Sequence, residues 1–456
     1  MTATALDELV AALPDGAVVA DPTTVENHRH DRAHLCPAGA PLALVRPTTT
    51  EQVQVAMRWA TRHRVPVVPQ GARTGLSGGA NAVDGGILLS LTRMDAIVEV
   101  DPVDQVAVVQ PGVVNADLSR AALEQGMFYP PDPSSWEEST LGGNLATNAG
   151  GLCCVKYGVT ADFVRGLEVV LADGEVIRAG RRTVKGVAGY DLTRLIVGSE
   201  GTLGVITEAT LSLRPAPENA LTMAAIFDAV PAALEAAMRI MASGQRPSLL
   251  EFLDGPSIAA IQAYRDMGLP EGAQAMLILQ SDRGPLAADD VETLGSLCRD
   301  LGAVEVAVAA DRQESEMLLE ARRLINPAIE KLGASFVDDV AVPRARLIDL
   351  LAGVERIALE HGVTILCPGH IGDVNMHPHV VFDRGDDGAA ARAADAFGAI
   401  MELALRLGGT ITGEHGVGTL KRPWLEQELG EVGLGLQRRI KTAFDPLGIL
   451  NPGKVV

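Results

Sequence analysis

VVPQGARTGLSGGA, residues 67 to 80, runs from an apolar, strand-like stretch into Gly71, Gly75, Gly78 and Gly79. Glycines there permit positive φ and let backbone N–H groups approach an anion closely. The loop is neither a GxGxxG nor a GxxxxGK[ST], and a lone glycine loop is weak evidence. Recurrence adds weight. STLGGNLATNAGG at 139–151 and KGVAGYDLTRLIVGSEGTLGVIT at 185–207 are also glycine-dense, and each enters an apolar run. Several backbone nests imply one large polyphosphate ligand. Gly85, Gly86 and Asp173-Gly174 read as ordinary hairpin turns.

Outward from that loop, PLALVRP, GGILLSL, AIVEVDP, QVAVVQPGV, GLEVVLADGEVI and LGVITEATLSL are β-rich runs separated by Gly/Pro turns. TTEQVQVAMRWATRH carries apolar residues at helical spacing behind a Thr cap. After Pro215 and Pro217 the texture shifts to Ala/Leu-rich helical segments alternating with strands such as ALTMAAIF and AMLILQ. The reading is α+β, with a first domain over 1–215, a second over 216–420 and a C-terminal segment over 421–456 whose docking site cannot be read locally.

The chain has 456 residues, enough for two or three domains and a large core. Its formal charge of −20 and lack of a long Lys/Arg stripe argue against nucleic acid or an anionic membrane as partner. The longest apolar runs fall short of the ~20 residues that cross a bilayer, so no transmembrane segment is expected. MTATALDELVAALPDG lacks a basic start and reads as an amphipathic helix, which points to a cytoplasmic address. The five cysteines form no CxxC pair, which argues against an iron–sulfur cluster or structural zinc and for reduced thiols.

The order PQGARTGLSGGA, PPDPSS, STLGGNLATNAGG, DGEV, GYDLTRLIVGSEGTLGVIT closely resembles the FAD domain of the vanillyl-alcohol oxidase and p-cresol methylhydroxylase flavoproteins. It is most similar to the FAD-linked D-2-hydroxyacid dehydrogenases, from about residue 20 to the terminal NPGK. The resemblance implies a two-subdomain FAD-binding domain of p-cresol methylhydroxylase type over 1–215. It implies an α+β substrate or cap domain with an antiparallel sheet over 216–420, carrying the metal and catalytic motifs, and a C-terminal return to the FAD domain. It further implies that Pro69, Gly71, Ala72, Arg73, Thr74, Gly75, Gly78 and Gly79, with Ser139, Thr140, Gly142, Gly143, Asn144, Thr147, Asn148, Gly150 and Gly151, wrap the FAD pyrophosphate. Pro131, Asp132, Glu200, Gly201, Gly204, Val205 and Ile206 would line the adenosine and isoalloxazine portions, and Asn451 completes the cofactor set. Related covalent flavoproteins use a His or Cys in the first loop; Ala72, Arg73 and Thr74 stand there, so a non-covalent FAD is expected.

GHIGDVNMHPHVV, residues 369 to 381, holds His370, His377 and His379, and its glycines and Pro378 favour strand–turn–strand over helix. Forty-odd residues on, GTITGEHGVGTLKRP carries Glu414 and His415. Two imidazoles and a carboxylate suit a divalent metal such as zinc or manganese. Spacing alone leaves that open against solvated or hydrogen-bonded histidines. The stretch resembles the family's GHxGDGNxH and GEHG motifs, which implies His370, His377 and Glu414 as metal ligands and His415 as the active-site base. Val374 stands where the motif has glycine, and His379 where several relatives carry a small or polar residue.

A substrate carboxylate calls for a guanidinium fork. ESEMLLEARRLINPAIE offers Arg322 and Arg323; the resemblance selects Arg322, and Asn326, one turn later, is expected to face the same way. A solvated helix face is the competing reading of the pair. Val337 occupies a position where some D-2-hydroxyglutarate enzymes have lysine, which weakens a dicarboxylate substrate. The resulting expectation is FAD-dependent oxidation of a small D-2-hydroxyacid, glycolate or D-lactate favoured. Electrons would pass to a quinone, a cytochrome, an electron-transfer flavoprotein or an iron–sulfur subunit, and such a partner could bring the chain to the inner membrane. A homodimer stays open. The alternatives are a D-2-hydroxyglutarate dehydrogenase, a transferase resembling alkylglycerone-phosphate synthase, whose HHH signature is absent, and a non-catalytic flavin subunit, which would lack the paired histidine motifs.

Overall fold

A computed structural model describes residues 3–33, 35–386 and 388–456. The chain divides into two compact units: 1–150 with 159–216 and 414–456, and 151–158 with 217–413. The expected cut at 215/216 falls one residue later. Two differences matter more. The return to the first unit begins at 414 and not 421, so Glu414 and His415 of GEHG belong with the first unit while Gly413 stays with the second; 151–158, including Gly151, belongs with the second. Local pattern could not reveal this, because chain texture reports on helices and strands and not on which core a loop joins.

The first unit holds two main sheets. In one, Ala43–Val45, Ile87–Ser90 and Val67–Gln70 are parallel neighbours in that order, with Val18–Val19 antiparallel at the edge. Strands in a parallel sheet are apolar on both faces, and Ile87–Ser90 is buried throughout. The helix Thr50–His63 starts on a Thr49 side chain that accepts from the Gln52 N–H and ends on Arg64 in the left-handed region. Its Val53, Ala56, Met57 and Ala60 recur at helical spacing and join Val67, Ile87 and Leu89 in one core. Ile449 and Leu450 of the C-terminal tail enter the same core. The Val67 N–H donates to the Ile449 carbonyl at 2.8 Å, and the Asn451 N–H donates to the Val67 carbonyl at 2.8 Å. The tail thus docks on the strand that feeds the first glycine loop.

The other sheet is antiparallel, in the order Ile97–Asp101, Val106–Val109, Val205–Ser212, Val164–Val170, Val176–Gly180. Gly204 leads into Val205–Ser212, and a Cβ there would fall 2.4 Å from Val169. Close strand packing therefore accounts for that glycine.

The second unit is built on an antiparallel sheet in the order Ala303–Val308, Leu221–Phe227, Ala275–Ser281, Leu249–Asp254, Gly369–His370, Asn375–Met376, Val340–Ala341. The helices Arg312–Arg323 and Ile325–Leu332 bury Leu319, Ala321, Ile325, Ala328 and Ile329 against Ile226, Leu253 and Ile278. Among the described residues, no helix is long and apolar enough to cross a membrane.

Candidate active site

In the first unit, the loop after Val67–Gln70 and the helix Leu141–Thr147 approach so closely that a Cβ on Gly71 would fall 2.2 Å from Thr140 Oγ1. Arg73 (φ 61°) and Gly78 (φ 75°) lie in the left-handed region, a conformation that anion-binding backbone nests use. Ser139 Oγ, Thr140 Oγ1 and Asn144 Nδ2 are buried and have no hydrogen-bond partner among the described residues. Buried polar groups are rarely left unsatisfied, so this segment fits a polar ligand such as a dinucleotide. Other members of the expected cofactor set have protein partners. Thr147 Oγ1–H donates to the Gly143 carbonyl, and Asn148 Oδ1 accepts from the Ala161 N–H. Pro131 accepts through its carbonyl from Asn115 Nδ2. A Cβ on Gly142 would strike Pro111, so packing requires that glycine whether or not a ligand is bound.

Glu200 and Asn451 also have their side chains engaged. The Glu200 carboxylate accepts from the N–H groups of Val417 (2.7 Å) and Gly418 (2.9 Å). Asn451 Nδ2 donates to the carbonyls of Gly79 (2.9 Å) and Glu200 (2.7 Å). They brace the glycine loop and the GEHGVG segment, a task the sequence did not assign them. Ser77, also unassigned, donates its hydroxyl to the carbonyls of His415 and Gly416. The backbone from His415 to Gly418 is therefore held, with Glu414 Oε1 3.9 Å from His415 Nε2.

The second unit gathers the other half of the histidine motif. Gly369–His370 and Asn375–Met376 form a hairpin with His370 opposite Asn375, as the strand–turn–strand reading expects. The rings of His370 and His377 stand perpendicular with centroids 5.0 Å apart. His370 Nδ1 lies 2.8 and 2.9 Å from the two oxygens of Glu251, and Arg322 Nε donates to Glu251 Oε2 at 2.7 Å. Burial raises the Glu251 pKa, but the charges of His370 and Arg322 outweigh it and hold the carboxyl below its usual range. The ionised carboxylate is then an acceptor for an N–H at Nδ1. Asp339 Oδ1 is 3.8 Å from His377 Nδ1, and Asp339 Oδ2 accepts from Thr412 Oγ1–H at 2.7 Å. The Gly413 N–H donates to the Asp339 carbonyl, so the residue preceding Glu414 is tied to this cluster. Imidazole nitrogens and carboxylate oxygens are the donors that zinc and manganese accept, so the residues fit a divalent ion.

Two features differ from expectation. Arg322 is buried and held by Glu251, but Asn326 is exposed. The helix breaks at Leu324 between them, so the shared face predicted from a continuous helix does not exist. Glu251 and Asp339 were missed; their only signal was an acid inside each of the apolar runs LLEFLD and FVDDVAV.

A family model for the C-terminal domain of FAD-linked oxidases matches residues 216–455, and one for an FAD-binding domain matches 41–180. The chain belongs to the FAD-linked oxidases. Within them it falls in the D-2-hydroxyacid branch of the vanillyl-alcohol oxidase and p-cresol methylhydroxylase flavoproteins. It is similar to the glycolate oxidase subunit GlcD of Bacillus subtilis, 43% identical over 418 residues that cover 91% of this chain and 89% of the relative. It is similar to a D-lactate dehydrogenase of Anaerostipes hadrus, 33% identical over 440 residues covering 94% and 92%. The solved structure of p-cresol methylhydroxylase with substrate bound matches 99% of this chain and 96% of its own length at a TM-score of 0.81 and 19% identity, which establishes the fold. As an FAD-linked oxidase, this chain is a flavin oxidoreductase that acts on hydroxyacids.

Proposed function

We propose that this oxidase converts a small D-2-hydroxyacid, glycolate or D-lactate, to the 2-oxoacid and passes the electrons to a separate protein or quinone acceptor. The carrying observation is the buried group in which one carboxylate, Glu251, holds both His370 and Arg322. It joins a metal-type ligand to a carboxylate-binding cation, the two groups a 2-hydroxyacid needs at its adjacent hydroxyl and carboxylate. Arg322 orients the substrate carboxylate through its terminal amino groups. His415, braced by Ser77, takes the hydroxyl proton as the Cα–H bond breaks. FAD, when bound, supplies the acceptor for that hydride. His370, His377 and Glu414 would hold a divalent cation, with Asp339 beside His377; such a cation supplies a Lewis acid for the hydroxyl. Val337, at the end of the strand Ala334–Val337, offers no second cation for a dicarboxylate.

Anaerobic mixing of the flavoprotein with D- and L-2-hydroxyacids tests the reading. Bleaching of the flavin by glycolate or D-lactate is expected; no bleaching by any member of the panel sinks it. His415→Ala is expected to slow flavin reduction by about 10²–10⁴-fold.

A further inference from the structure

A carboxylate in the middle of LLEFLD is out of place by composition alone. The strand Leu249–Asp254 is buried along nearly its whole length, and Glu251 has no solvent exposure. Burying a lone carboxylate costs several kcal/mol, so such a residue persists where it is paired and hydrogen-bonded. Its partners are His370 and Arg322, each at normal hydrogen-bond distance.

We propose that Glu251 is a positioning residue that fixes, with one carboxylate, both the tautomer of His370 and the aim of Arg322. The proposal rests on the hydroxyacid reading above. An anionic acceptor at Nδ1 keeps the imidazole proton there, so Nε2, on the side away from Glu251, is the nitrogen that would bind a metal. Arg322 meets the same carboxylate through Nε, which leaves the edge formed by its two terminal amino groups for a second carboxylate. The hydroxyl-side and carboxylate-side halves of substrate recognition then share one anchor. A neutral amide in its place has one acceptor oxygen and one NH2 group, so it loses the charge that both N–H groups share and turns a donor toward one of them. Its donor would face either Arg322 Nε or His370 Nδ1, and in the second case the imidazole proton moves to Nε2 and blocks ligation.

The test is Glu251→Gln in the full-length flavoprotein. Zinc and manganese affinity are read by competition with a chelator, and flavin reduction by D-lactate and glycolate is followed anaerobically. The expected result is a metal affinity lower by about 10–100-fold together with a higher half-saturating substrate concentration, the flavin spectrum and content staying as in the wild type. A purely structural role would change flavin content or melting without this paired loss. Wild-type metal affinity and wild-type half-saturation in the variant overturn the proposal while leaving the hydroxyacid reading intact. A wild-type protein that takes up neither metal overturns the metal reading itself, and this proposal with it. If Glu251→Gln does not accumulate as a flavoprotein, Glu251→Asp is measured instead. Its carboxylate is retracted by about 1.5 Å and cannot reach both partners, so the same paired loss is expected, and its absence overturns the proposal.

Discussion

The Glu200 carboxylate accepts the Val417 N–H at 2.7 Å, and through that bond a residue of the glycine-rich GSEGTLG segment holds the backbone two positions beyond His415. Burial pushes this carboxyl up from 4.5 to about 7, against the pull of the Val417 and Gly418 N–H groups and of Lys421 and Lys454. The folded chain therefore retains a proton that the unfolded chain has lost between those two values. Stability falls as pH rises through that window, by about 3 kcal/mol in all. Glu200→Gln removes the titration. Thermal melts from about pH 5 to about pH 8 should show the wild type losing stability relative to the variant as pH rises; parallel curves would refute the linkage.

Ser139 makes a prediction with opposite signs in the two states of the protein. Its Oγ is buried with no hydrogen-bond partner among the described residues, a cost that the apoprotein bears and a bound dinucleotide can remove. Ser139→Ala is expected to leave the apoprotein as stable as wild type or more stable by about 1 kcal/mol, and to weaken FAD roughly tenfold. Urea unfolding of the apoprotein and a flavin-fluorescence titration separate the two effects.

The strands of the first domain and the boundary near 216 were legible because alternation, Gly/Pro punctuation and the change to Ala/Leu-rich helices are local signals. The His370–His377 hairpin was legible for the same reason, since glycine and proline exclude a helix there. Contacts between distant segments were not. Nothing local says that Glu251 faces a histidine 119 positions later, or that Glu200 and Asn451 hydrogen-bond to the backbone of loops far along the chain. Asn326 shows the converse error. Helical spacing from Arg322 assumed one continuous helix, and the break at Leu324 gave the two residues different surroundings.

Val374, the departure from glycine in GHIGDVNMH, sits at φ 59° between the two metal-type histidines. A β-branched residue in the left-handed region costs about 1–2 kcal/mol. Its side chain is 2% exposed, and burying a valine returns about 1.5–3 kcal/mol, so packing offsets the backbone strain. Val374→Gly relieves the strain but loses the burial and adds about 0.5–1 kcal/mol of chain entropy. The net expectation is a loss of about 1 kcal/mol, measured by urea unfolding; a clear gain in stability would mean that strain dominates.

Asn451 tests whether the tail supports the cofactor loop. It is 1% exposed, and its amide donates to the carbonyls of Gly79 and Glu200, one in each of two glycine segments. Asn451→Ala strips both carbonyls of a donor in a place where water has little access. Each loss costs about 1–3 kcal/mol, but the Gly79 carbonyl keeps Lys454 Nζ at 3.4 Å, so destabilisation toward the lower part of that summed range, about 2–4 kcal/mol, is expected in the apoprotein. Because Gly79 belongs to the first loop, FAD should also dissociate faster from the variant, and stopped-flow loss of flavin on dilution measures this. A variant that melts earlier yet releases FAD at the wild-type rate would confine Asn451 to anchoring the tail.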